Sequence, residues 1–197
     1  MKKILNGYIE LTKPRILMLV LITTVLGYYL GGKGIQSYSQ LFVLLLGSAF
    51  VCAGSSTLNH FLEREFDSKM QRTKNRPLPT GLIAPNHAVT FGTLCVLAGV
   101  VILYQINILT AFLGLLTTFL YVLVYTPMKR TSWLNTTVGA FPGALPPLGG
   151  WAAATGTLNF NAGILFLILF LVLMICDTAW AARIKDLSNI KGVRGNQ

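Results

Sequence analysis

Apolar runs recur along this chain, and their length limits what it can become. Six stretches, about residues 16–31, 41–60, 87–104, 108–127, 136–154 and 162–181, approach the roughly 20 residues a helix needs to cross a bilayer. Hydrocarbon offers no partner to backbone N–H and C=O groups, so segments of this kind fold as helices. Composition agrees. Hydrophobic residues make up 53% of the 197 and charged residues only 11%, where soluble domains carry about 25% charged; mean hydropathy is +0.63. The sequence therefore predicts an all-α membrane protein with about six transmembrane helices, organised as one unit over residues 1–197. No soluble domain, linker or low-complexity segment interrupts the pattern. A net charge of +10 would point to nucleic acid in a soluble chain. Here the basic residues occupy the connections between apolar runs, so the expected surroundings are membrane lipid, with no nucleic acid.

The basic residues alternate. The leader carries Lys2, Lys3, Lys13 and Arg15, the second connection Arg64, Lys69, Arg72, Lys74 and Arg76, and the fourth Lys129 and Arg130. The tail carries Arg183, Lys185, Lys191 and Arg194, whereas the first connection has only Lys33 and the third and fifth have none. The positive-inside rule then places both termini in the cytoplasm of a bacterial-type plasma membrane. The first run has no convincing cleavage site and is expected to be retained. Cys52, Cys95 and Cys176 lie in apolar runs at no metal-binding spacing and are expected to be buried small hydrophobes. Segment 136–154 holds Gly139, Pro142, Gly143, Pro146, Pro147, Gly149 and Gly150. It is expected to be a span broken in the middle whose irregular backbone lines a cavity. A kinked packing helix with glycines at close contacts is the alternative.

Asn59, Glu63 and Asp67 stand four residues apart at the inner end of the second run. Each step of four advances roughly 400° around a helix and about 6 Å along it, so the three side chains share one stripe. Acids at a lipid boundary are costly without a partner. Two carboxylates and an amide suit one hard cation or two, with Mg2+ taking the remaining positions from waters and substrate phosphates. The basic stretch Arg72-Thr73-Lys74-Asn75-Arg76-Pro77-Leu78-Pro79-Thr80-Gly81 follows, and its prolines and Gly81 imply a structured loop. Such a loop can bring the Arg72 and Arg76 guanidiniums over a diphosphate, with Lys129 and Arg130 adding charge from the next inner connection. A solvated rim of paired acids and bases is the competing account. A metal-bound diphosphate at the edge of an apolar chamber implies a prenyl diphosphate, its tail in the chamber and its head at the water interface.

The run Asn59-His60-Phe61-Leu62-Glu63-Arg64-Glu65-Phe66-Asp67 through Arg72-Thr73-Lys74-Asn75-Arg76-Pro77-Leu78-Pro79 resembles the first acidic motif of UbiA-type intramembrane prenyltransferases. The Arg-Thr-x-x-Arg-Pro-Leu element narrows the resemblance to the protoheme IX farnesyltransferase branch. Leu11-Thr12-Lys13-Pro14-Arg15 and Tyr125-Thr126-Pro127-Met128-Lys129-Arg130-Thr131, continuing through Gly139–Ala152, are similar to other stretches of that branch. The resemblance covers about residues 8–175. It implies a UbiA-like helical bundle and a reaction between farnesyl diphosphate and protoheme IX that yields heme O. It also implies Asn59, Glu63 and Asp67 as the Mg2+ ligands and catalytic set, with Arg72, Arg76, Lys129 and Arg130 on the diphosphate. An enzyme of heme A synthesis or an oxidase-assembly factor is the protein partner such a product implies. Tyr121, Tyr125, Phe141 and Trp151 are candidate chamber liners for stabilising an allylic cation, with plain packing as the alternative. His60 is a weaker candidate for heme iron, and His87 has no assigned role.

Members of that family carry about nine spans and a second acidic motif, which is not recognisable near Asp177 and Asp186. Nine residues apart, these two acids lie roughly 180° around a regular helix and cannot form a same-face pair. Residues 176–197 read as an atypical tail, and the chain as truncated or altered at its C-terminal end. Three other functions remain open on the residues. They are a prenyltransferase acting on a quinone or chlorophyll precursor, a non-catalytic membrane protein that binds prenyl lipids or an assembly partner, and a small transporter. With one acidic motif of two, the purified 197-residue chain is expected to make no heme O from farnesyl diphosphate and protoheme IX; turnover above background would contradict this.

Overall fold

The computed structural model describes residues 2–128 and 135–175, and these form a bundle of helices. Helix α1 (Lys2–Leu11) is short and amphipathic. Lys13 turns the chain with a backbone φ of 51°, and Pro14 opens α2 (Pro14–Gly32) where its missing N–H goes unneeded. Ser37 caps α3 (Tyr38–Asp67), its hydroxyl accepting from the Gln40 N–H. Pro85 starts α4 (Pro85–Tyr104). Asn107 then caps α5 (Ile108–Met128) by accepting from the Thr110 N–H at 2.7 Å. The last two described helices are α6 (Asn135–Thr155) and the apolar α7 (Phe160–Ile175).

Among the described residues four helices, α2 to α5, are long and apolar enough to cross a membrane. Helix α6 has 21 residues, and α7 as described is shorter. Phe42, Leu94, Val101, Phe112 and Leu123 are each more than half exposed, an apolar outer surface that suits lipid and not water. The protein is an integral membrane protein, and six helical segments coincide with the six runs expected from the sequence. The sixth run is described only to Ile175; its remainder, and the tail with Asp177 and Asp186, lie outside the described residues.

Two differences matter. Helix α3 has 30 residues and continues to Asp67, well past the expected end of its run. At 1.5 Å per residue it is about 45 Å long, against a hydrocarbon core of about 30 Å. Its last turns therefore project to the water boundary and carry the acidic stripe on regular helix. The second difference corrects the expectation for 136–154. Helix α6 is not broken: it runs as one helix with Pro142, Pro146 and Pro147 inside it. Each proline removes one i→i−4 bond and crowds the preceding turn, but packing on α2 and α5 holds the helix through these gaps.

That packing depends on backbone approach. A Cβ built on Gly27 of α2 would lie 1.8 Å from the Pro147 carbonyl oxygen, and one on Gly150 of α6 would lie 2.1 Å from the Thr24 carbonyl oxygen. Helices α3 and α4 meet in the same way, Gly54 against the Gly92 carbonyl and Gly99 against the Gly47 carbonyl. Lipid competes poorly with such contacts because close backbone packing supplies the dispersion energy that holds membrane helices together. Gly27→Ala should therefore cost about 1–3 kcal/mol or more, since a carbonyl cannot move aside as a side chain can. Gly163→Ala, where an added Cβ meets nothing within 4 Å, should be nearly neutral. Thermal melts in detergent compare the two, and equal melting temperatures would contradict the packing argument.

Candidate active site

The stripe faces inward. Asn59 is 1%, Glu63 8% and Asp67 4% exposed, although all three lie on the projecting end of α3. Burial of two carboxylates at this depth requires compensating donors, and donors reach the stripe from two directions. From the loop after α3, the Arg76 Nη1 donates to Asp67 Oδ2 at 2.7 Å. The Thr73 hydroxyl donates to the Asp67 carbonyl at 3.0 Å. His60 Nδ1 stands 4.0 Å from the same carboxylate oxygen, so this buried histidine faces the acid of its own helix. From the other side, Lys13 Nζ donates to Asn59 Oδ1 and, at 3.2 Å, to the Tyr121 hydroxyl.

The amide of Asn59 is held at both ends. Its Nδ2 donates to Thr126 Oγ1 at 2.9 Å, and that hydroxyl donates to the Tyr121 carbonyl at 2.7 Å. Residues Leu120–Tyr125 form a π-helical turn within α5. Such turns widen a helix and reorient side chains, and they recur at functional sites. Here the turn places Tyr121 and Tyr125 in a stacked pair, centroids 5.8 Å apart.

The loop is structured, as its prolines imply. Leu78 and Ile83 pack with Leu11 and Ala88 in one buried cluster, flanked by Tyr8 and Phe61. The loop after α3 is thereby fastened to α1 and to the first turn of α4. The structure brings Arg76 to the stripe and leaves Arg72 exposed, with no hydrogen bond or ion pair among the described residues. The two arginines are four residues apart, but the chain between them is turn and not continuous helix, so helical spacing does not bring them together. Lys129 and Arg130 lie outside the described residues.

A cavity of about 370 Å³ opens beside the stripe. Its lining on α3 descends by one turn at a time through Ser56, Cys52, Ser48 and Leu44. That is about 18 Å of helix running away from Asn59 toward the opposite membrane face. Lys13, Tyr121 and Tyr125 line the end nearest the stripe, and Thr24, Leu103 and Thr110 the far end. Gly139, Pro142, Gly143, Pro146 and Gly149 form the α6 wall. The expectation that this segment lines a cavity therefore holds on an unbroken helix. Of the four aromatic candidates only the two tyrosines reach the chamber. Phe141 packs on Phe170 at 4.7 Å between centroids, and Trp151 is buried against Gly31.

Sequence reasoning missed two residues. Lys13 was counted among the charges that orient the chain; its place immediately before Pro14 at the start of a span was the available signal. Thr126 is unremarkable in sequence, and only the π turn brings its hydroxyl to Asn59.

Residues 20–193 match the model of the UbiA prenyltransferase family. The chain belongs to that family. Among similar proteins is a protoheme IX farnesyltransferase of Solibacter usitatus, 42% identical over 177 residues that make up 85% of this chain and 61% of that protein. Another is the protoheme IX farnesyltransferase of Aquifex aeolicus, 42% identical over 86% of this chain and 59% of that protein. The chain thus spans about three fifths of the length of these relatives. The UbiA fold is seen directly in a solved structure of digeranylgeranylglyceryl phosphate synthase, with a TM-score of 0.80 at 22% identity over 96% of this chain and 65% of that one. A UbiA homologue from Archaeoglobus fulgidus, solved with DMAPP and Mg2+, gives a TM-score of 0.69 at 20% identity over 83% of this chain and 60% of that one.

In this UbiA chain the ion pair at Asp67 can be tested by itself. Arg76→Ala leaves a buried carboxylate without its charged donor and should cost about 1.5–3 kcal/mol. Adding Asp67→Ala should recover most of that loss, because the unpaired charge is the main penalty. Chemical denaturation in detergent micelles measures both, and additive losses would contradict the pairing.

Proposed function

We propose that this chain carries the diphosphate-binding part of a prenyltransferase site. The activity it serves is transfer of a farnesyl group from farnesyl diphosphate to a vinyl group of protoheme IX, giving heme O. The observation that carries the reading is the continuity of α3. One helix presents a buried stripe of two carboxylates and an amide at the water boundary, and its preceding turns line an apolar chamber. A molecule with a polyanionic head and a long hydrocarbon tail matches both ends. The protoheme IX farnesyltransferases at about 40% identity support the acceptor.

The donor set fits a hard divalent cation. Asn59, Glu63 and Asp67 offer only oxygen ligands, and Mg2+ is ordinarily held by one or two carboxylates, with waters and substrate phosphates completing its shell. The stripe rises about 12 Å from Asn59 to Asp67, a length that suits two neighbouring ions better than one. Bound there, Mg2+ would neutralise charge on the leaving diphosphate. Arg76, already at the stripe, adds a guanidinium fork suited to phosphate oxygens. Arg72, Lys129 and Arg130 are further diphosphate ligands on this proposal. As the C–O bond breaks, its electron pair leaves on the diphosphate and an allylic cation remains. The stacked Tyr121 and Tyr125 rings at the mouth present π faces to that cation. The chamber wall excludes water until the terminal vinyl carbon attacks the allylic cation; water then adds to the carbocation left beside the porphyrin ring and loses a proton, completing the hydroxyethylfarnesyl group. Residues 1–197 form part of one prenyltransferase domain, crossing the plasma membrane several times with the stripe and both ends on the cytoplasmic side.

Labelled farnesyl diphosphate should bind the wild-type chain in nanodiscs only when Mg2+ is present. Asp67→Ala should weaken that binding about tenfold or more, the worth of one charge-assisted ligand. Protoheme IX, and not an aromatic quinone precursor, should change the fluorescence of the tyrosines at the mouth. Binding indifferent to Mg2+ would overturn the proposal.

A further inference from the structure

Lys13 stands apart from the other basic residues of this chain. It is one of two non-glycine residues among those described with positive φ, a backbone conformation that costs a side chain free energy and persists where surrounding contacts enforce it. Its ammonium donates to Asn59 Oδ1 and, at 3.2 Å, to the Tyr121 hydroxyl. The same ammonium lines the chamber at its mouth. The Asn59 amide cannot turn away easily, because Thr126 holds its Nδ2. So one carbonyl oxygen, fixed in direction, is taken by a lysine.

We infer that Lys13 and a divalent cation compete for Asn59 Oδ1, and that the ammonium displaced by the metal becomes a ligand of the substrate's diphosphate. The inference rests on the reading of Asn59 as a metal ligand. Two cations cannot share one oxygen at contact distance in a site of low dielectric. A lysine has a flexible four-carbon stem and three donors, so its head can swing without moving the backbone. A diphosphate at the chamber mouth, which Lys13 lines, would lie within its reach. The exchange makes metal and substrate binding mutually dependent. The metal must displace a cation to reach Asn59, and the displaced cation strengthens the hold on the anion that arrives with it. Lys13 then acts as a substrate ligand, and through Asn59 as a regulator of metal affinity.

The competition gives Lys13→Met effects of opposite sign. Mn2+ alone, used as the probe and read by electron paramagnetic resonance, should bind the variant about tenfold more tightly, since its competitor is gone. Farnesyl diphosphate with Mg2+ should bind about tenfold more weakly, having lost a charge-assisted ligand. Lys13→Arg keeps the charge and should retain diphosphate binding to within about threefold of wild type. A purely structural role for Lys13 would weaken both ligands together and lower the melting temperature, and that result overturns the inference. Unchanged Mn2+ affinity in Lys13→Met overturns it as well. Wild-type protein that binds neither ligand would remove the metal-site reading and this inference together, whereas normal wild-type binding with same-sign changes in the variant removes the inference alone.

Discussion

Two carboxylates buried at a lipid boundary are the condition on which the rest of this structure turns. Glu63 and Asp67 lie on helix that extends past the hydrocarbon, yet both are inside the protein. Left alone, such charges would draw in water or open the helix end. The structure instead closes a loop and an α1–α2 corner around them. Arg76 reaches Asp67 from one side and Lys13 reaches Asn59 from the other. The loop is held by apolar contacts of Leu78 and Ile83 with Leu11 and Ala88. Charge compensation and hydrophobic closure therefore stabilise the same turn of chain.

The chamber has a different origin. Glycines and prolines of α6 form one wall, where a Cβ added at Gly149 would meet nothing within 4 Å. The same composition lets α2 approach α6 backbone to backbone at Gly27 and Gly150. One face of α6 thus gives tight packing and another gives empty space. An apolar cavity of this kind is costly unless a ligand fills it, and an occupant with a hydrocarbon tail would match its lining.

Much was legible in the residues. The apolar runs marked the helices because the bilayer allows no other backbone solution, and the period of four put Asn59, Glu63 and Asp67 on one face. Turn-forming prolines marked a structured loop after Asp67. One reading failed and another was decided between its alternatives, each for an identifiable reason. Counting prolines overstated the break in α6, since neighbouring helices can hold a chain helical through missing bonds. Of the four candidate liners, Tyr121 and Tyr125 reach the chamber, while helix rotation turns Phe141 and Trp151 to packing on α7 and α2.

Sequence alone determined membership of the membrane class, the positions of the apolar helices and the face on which the acids stand, because each depends on local periodicity and on the solvent the segment must meet. Only the tertiary structure decided which cations meet the stripe. Lys13 and Asn59 are 46 residues apart, and Tyr121 lies 108 residues from Lys13. Contacts at that separation depend on how α2, α3 and α5 rotate and cross, which is settled by glycine approach and cavity shape across the whole bundle and leaves no periodic trace in any one segment.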